Sequence, residues 1–184
     1  YTDSTDDEFN VTPAAVNVGN ISGASAVAAG NGKLAIKWSD PAATVVSDGV
    51  TLATWASTKI VVKARSYATS PDDSAAAYSL NVTTRNQYAN SALTVTGLTN
   101  GTTYYISFFP ISTDGAVNVN TSNRITGVPN RLTISTVPSQ SGTLTYNKNS
   151  QSPSWSNYDT SKMTIGGTTS GTNAGTYNAT FTPK

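Results

Sequence analysis

The chain has no cysteine and no histidine among its 184 residues, and only 11% of it is charged. Without cysteine there are no disulfides, thiol nucleophiles, sulfur-ligated metals or covalent haem attachment, and the redox compartment cannot be read from cysteine habits. Without histidine the commonest general base and the commonest nitrogen ligand near neutral pH are gone. Together these gaps exclude Ser-His-Asp and Cys-His catalysis. A net charge of +1 supplies no concentrated basic field, so nucleic acid is not an expected partner. No run reaches the roughly eighteen apolar residues of a helical membrane span, so membrane insertion is not expected either. Tyr1 is neither a start Met nor the opening of a signal peptide, and the chain is expected to be a mature form or a fragment.

The 10 acidic residues are the remaining source of chemistry. A glycosidase needs two carboxylates about 5 to 9 Å apart. Here Asp6, Asp7 and Glu8 crowd one end, while Asp72 and Asp73 are adjacent after Pro71, where neighbours on an extended chain point to opposite sides. No spaced acidic loop suits calcium. No catalytic residue, cofactor or metal ligand is assigned, and the chain is read as not an enzyme.

What the chain does have is Thr, Ser, Asn and Gly in place of charge, with 9 Tyr, 14 Gly and 8 Pro. Thr and Tyr suit pleated, half-buried surfaces, and Gly and Pro punctuate them, so the expected class is all-β with no long helix. Residues 1–16 read as an acidic N-terminal tail or linker holding Asp3, Asp6, Asp7 and Glu8. Gly30-Asn31-Gly32 opens a hairpin into KLAIKW, where Leu34, Ile36 and Trp38 alternate with polar or small residues. Ile60, Val62 and Ala64 alternate with Val61, Lys63 and Arg65; Tyr104, Ile106 and Phe108 alternate with Tyr105, Ser107 and Phe109. From Arg131 the pattern changes to short strands joined by tight turns, ending with Tyr177, Ala179 and Phe181 on one face of a half-buried strand.

The segment KLAIKWSDP resembles the second strand of a fibronectin type III domain, with Trp38 as its core tryptophan. In LTNGTTYYISFFPIS, Leu98, Gly101 and Tyr104 are similar to the leucine, glycine and tyrosine of that family's turn and tyrosine corner. The resemblance covers about 17–129 and implies that these residues form the fold. It departs at Ile60, where the family usually has a tyrosine. LTYNKNSQSPSW and GTNAGTYNATFTPK look like the immunoglobulin-like repeats of tailed-phage appendages and bacterial surface proteins. The expected architecture is therefore two tandem β-sandwich domains, fibronectin type III-like over 17–129 and immunoglobulin-like over 130–184. The second is expected to lack its last strand, with the open edge supplied by further chain or another subunit.

Two surfaces are candidates for contact. Val61, Lys63, Arg65, Tyr105 and Phe109 fall on the outward phase of their strands and would make an aromatic and basic patch. Loops 40–54 and 113–118 are expected at one end of the first sandwich, with Trp55 and Asp114 at the tips; Trp55 would either stack on a sugar or plug the end. The expected function is a structural and adhesive virion component of a tailed bacteriophage, in a tail, baseplate or fibre-like appendage. Its expected partners are other assembly subunits, including copies of itself, and cell-wall or mucus glycans, at the virion surface or extracellularly. The alternatives are a bacterial cell-surface adhesin or filament subunit, and a noncatalytic accessory region of a secreted polysaccharide hydrolase.

Overall fold

The structure, a computed structural model, describes residues 16–184. The acidic tail, with Asp3, Asp6, Asp7 and Glu8, lies outside the described residues. The described chain is nearly all β. Its first half runs β1 (Ser22–Ala28), β2 (Leu34–Ser39), β3 (Thr44–Ser47), β4 (Val50–Ala64), β5 (Tyr78–Val82), a single helical turn α1 (Gln87–Asn90) and β6 (Leu93–Val95). There follow β7 (Tyr104–Ser112), β8 (Arg124–Gly127), β9 (Ser139–Ser141), β10 (Ser154–Ser156), β11 (Met163–Gly167) and β12 (Ala179–Pro183).

Two antiparallel sheets share the main core. One has the order β1-β2-β6; the other runs β3-β4-β7-β8, with β5 also paired to β4. The period-2 alternation read from the sequence turns the same side of each strand inward: Leu34, Ile36 and Trp38 from the first sheet meet Ile60, Val62, Ile106 and Phe108 from the second, all fully buried. Register puts Ile60 opposite Phe108 and Val62 opposite Ile106, so the large side chains stack in layers. Each large apolar chain buried this way contributes about 1.5–3 kcal/mol. Where the β8 edge meets β1 and β2 only glycine fits, since a Cβ at Gly127 would lie 2.9 Å from Ala26 Cβ and 3.0 Å from Leu34 Cδ1.

The turn before β7 is held by polar bonds between distant parts of the chain. The Tyr104 hydroxyl accepts a hydrogen bond from the Thr99 N–H at 3.0 Å, fixing the corner from which β7 departs. Leu98 N–H donates to Gly32 C=O at 3.0 Å and Gly101 N–H to Pro129 C=O at 2.9 Å, so this turn joins the first hairpin to the end of β8. Gly32 has φ +65°, and a Cβ there would meet Leu98 O at 2.6 Å; the close approach requires glycine.

Residues 40–54, expected as a loop, are largely a hairpin instead. Asp48 and Gly49 both adopt positive φ, 51° and 78°, as a two-residue turn whose twist matches its strands demands. The flanking Val45, Val46, Val50 and Leu52 suit strands. An Asp-Gly pair between β-branched runs was the cue.

Residues 130–184 form two separate two-stranded ladders, β9–β10 and β11–β12. Their strands are three to five residues long and joined by Ser, Thr, Asn and Gly, which leaves little to bury. Trp155 packs edge-on to Phe181 at 5.0 Å between ring centroids, and Tyr158 lies at 5.5 Å from the same ring, so one aromatic cluster links the ladders. Tyr177, expected in the final strand, precedes it and is exposed because β12 begins only at Ala179.

Replacing Tyr104 with Phe keeps the ring and deletes the acceptor for Thr99. The expected cost is about 1 kcal/mol in chemical denaturation. A midpoint equal to that of the unaltered protein would show that the corner bond does not stabilise the fold.

Candidate interaction surfaces

On the outward face of β4 and β7, the structure corrects the expected contact patch. Val61 and Phe109 are 0% and 1% exposed, because the chain after β4 folds back over them. Arg65, at φ 76°, turns the chain out of the strand and is itself exposed. The following strap, residues 66–77, brings Ala68 and Ala76 onto Val61 and Phe109, with Val117 at the margin. Small alanines permit this close packing, so the alanine-rich stretch near Pro71 was the overlooked cue.

The strap is pinned by polar contacts. Lys63 Nζ pairs with Asp73 Oδ2 at 2.6 Å, and Ala77 N–H donates to Val62 C=O at 2.8 Å. The Lys63 hydrogen bond, followed by the one from Ala75 N–H, holds the Asp73 carboxyl below its ordinary value. Tyr105, half-buried, meets Tyr67 edge-on at 4.9 Å, and the Arg124 guanidinium lies 5.3 Å from the Tyr67 ring centre. Of the five expected patch residues, Arg65 is left exposed, while Lys63 and Tyr105 are engaged by the strap.

At the loop end, residues 54–55 and 112–113 come together: Trp55 pairs with Ser112, and Thr113 N–H donates to Thr54 C=O at 2.8 Å. Trp55 is not a tip. It is 9% exposed, packed with Val18 and Ala53, with its indole N–H donating to Thr58 Oγ1 at 3.0 Å. That hydroxyl donates in turn to Asp40 Oδ1 at 2.7 Å, which also accepts from Trp38 Nε1 at 2.9 Å. The other carboxylate oxygen accepts from Asn86 N–H at 2.7 Å. Asp114 does lie on an exposed turn, where Ser112 Oγ donates to it and the bond holds its carboxyl below the ordinary value. Among exposed Thr, Ser and Asp side chains the hairpin also presents apolar ones to solvent: Val46 is 55%, Val50 59% and Leu52 43% exposed.

A second surface lies in residues 130–184, which the sequence reading left without a site. Residues 140–155 and 168–177 enclose a groove of about 390 Å³ whose lining includes Tyr146, Trp155 and Tyr177. The two segments are tied by reciprocal bonds between Gln151 and Gly171, at 2.9 and 3.0 Å. On the far side of Trp155, Asp159 accepts from Ser161 Oγ and N–H and pairs with Lys162; the first of these does most to lower its carboxyl to about 2.

The described residues contain six carboxylate side chains, of which Asp40, Asp73, Asp114 and Asp159 are engaged in these local bonds. No cluster of three metal-ligating side chains occurs among the described residues, and no helix there is long and apolar enough to cross a membrane. No family model matches the chain, and no curated protein sequence matches it.

Asp40→Ala leaves three donors without their acceptor and is expected to cost about 3 kcal/mol, read by chemical denaturation. A loss below about 1 kcal/mol would mean that these donors find other partners. The strap should respond to acid. Because the folded Asp73 carboxyl lies below its ordinary value of 3.8, its contribution is present above that pH and is lost as pH falls below it. Amide-exchange protection at Ala77 is expected to fall under those conditions, and Lys63→Ala should lower it already at neutral pH. Protection that ignores both changes would remove the ion pair from the account.

Proposed function

We propose that this chain is a non-enzymatic structural and adhesive component of a tailed bacteriophage virion, within a tail, baseplate or fibre-like appendage. It comprises a fibronectin type III-like module followed by an immunoglobulin-like one. The first assignment is supported by the β1-β2-β6 sheet facing β3-β4-β7-β8 and by the Tyr104 corner bond. The phage setting rests on the resemblance of the 144–155 and 171–184 segments to appendage repeats. The non-enzymatic reading rests on a chain without His or Cys.

The observation that carries the reading is the β3–β4 hairpin. Val50 and Leu52 share one face of β4, and Val46, paired with Thr51, is exposed on the opposite face of the same hairpin. A hairpin that exposes apolar side chains on both faces suits insertion against a neighbour. The neighbour they suit is another subunit of the particle, and many copies held in an array turn weak host-surface contacts into avidity.

Mass spectrometry of purified particles and of the cell envelope should recover the chain in particles at a fixed copy number. Changing Val46, Val50 and Leu52 together to Ser should abolish that incorporation while the isolated protein keeps its cooperative unfolding. Recovery with the envelope alone would indicate a cell-surface adhesin, and a catalytic domain in the same reading frame would indicate an accessory region of a hydrolase; either result sinks the virion reading.

A further inference from the structure

We propose that the groove between residues 140–155 and 168–177 is a binding site for a neutral oligosaccharide. The inference rests on the adhesive reading above and gives it a ligand class and a location.

The groove's chemistry is that of a sugar. A pyranose ring has a face of polarised C–H groups and a rim of hydroxyls. The first is attracted to the electron-rich face of an aromatic ring; the second needs partners that both donate and accept. Tyr146 and Tyr177, 56% and 45% exposed, supply aromatic surface at the groove, with Trp155 half-buried alongside. Gln140, Gln151 and Asn173 supply side-chain amides, which both donate and accept. No Asp, Glu, Lys or Arg lines the groove among the described residues, so nothing there pairs with phosphate, sulfate or carboxylate. A hydrocarbon chain would leave the amides without partners as it covered them.

The site is also held in shape. The Tyr177 ring fills the space that a side chain at Gly171 would need, and its hydroxyl donates to Asn173 C=O at 2.8 Å. Gln151 Nε2 donates to Thr145 C=O at 2.9 Å and to Asn147 Oδ1 at 3.1 Å, leaving its carbonyl oxygen to accept, and Gln140 Nε2 donates to Gly142 C=O at 3.0 Å; these bonds orient both amides. Gln151 backbone bonds to Gly171 then keep the two walls together. A wall fixed before the ligand arrives loses little entropy on binding. The volume of about 390 Å³ is at the small end of ligand sites and suits a short oligosaccharide.

The test is an NMR titration of the full chain with chitotetraose and with cellotetraose, using trigalacturonate as a charged control. Saturable shifts are expected at Tyr146, Gly171, Tyr177 and the Trp155 indole with at least one neutral probe, with a Kd of about 1 mM. Tyr146→Ala, an exposed substitution, should weaken that binding about tenfold and leave the rest of the spectrum in place. The site is overturned if neither neutral probe shifts these residues at about 10 mM, if trigalacturonate binds more tightly, or if Tyr146→Ala binds as before. Failure here leaves particle incorporation to be judged by mass spectrometry, and a chain absent from particles that still binds the probes would remove the virion and keep the groove.

Discussion

Asp40 sits where three parts of the chain meet, and its carboxylate joins them. One oxygen accepts from the Trp38 indole at the end of β2 and from the Thr58 hydroxyl in β4; the other accepts from the Asn86 amide at the start of α1. Asn86 returns the bond, since its Oδ1 accepts from Asp40 N–H at 2.8 Å. Trp55 joins through Thr58, and Trp38 packs on Phe108 and Tyr88 at 5.0 Å each. A buried carboxylate is tolerated only when its lone pairs are satisfied. Here that requirement fixes the spacing of the two sheets and the position of both tryptophans. In a chain without disulfides, such a node does the cross-linking that covalent bonds do in other small β proteins.

The strands with one apolar phase were legible because period 2 leaves no choice of face. Trp38, Leu98, Gly101 and Tyr104 were each placed from local pattern and resemblance, and each lies in the core or its corner turn. The outward phase was harder. Whether Val61 and Phe109 meet solvent depends on the path of residues 66–77, and that path is set by contacts far apart in sequence, such as Arg124 with Tyr67. Alternation says which way a side chain points, not what covers it. The hairpin at Asp48-Gly49 was legible and overlooked, since its turn dipeptide lay within a stretch read as loop. The C-terminal groove left little local trace: Tyr146, Trp155 and Tyr177 are separated by polar residues and become neighbours through the Gln151–Gly171 bridge.

The two halves of the described chain divide the physical work. The first half gathers its large apolar residues into one core and covers the outer face of its sheet with its own strap, leaving the β3–β4 hairpin as an exposed apolar feature. The second half buries little and keeps aromatic rings at the surface, held by hydrogen bonds among Gln, Asn, Thr and Gly. Rigidity in the first comes from packing density; in the second it comes from polar bonds that a competing ligand could share.

The bonds made by the segment before β1 bear on the order of assembly during synthesis. Ile21 N–H donates to Asn123 Oδ1 across 102 residues, and Asn118 Nδ2 donates to Val18 and Gly19 carbonyls across 100 and 99. A ribosome adding roughly 10 residues per second needs about 10 s to deliver those asparagines after the segment itself has emerged. Until then β1 and β2 can pair and Val18 can pack on Ala53 and Trp55, but the stretch leading into β1 lacks its asparagine bonds. Latching of the leading segment therefore waits for residues 118–123, and a nascent chain paused before Asn118 carries that end without its asparagine bonds.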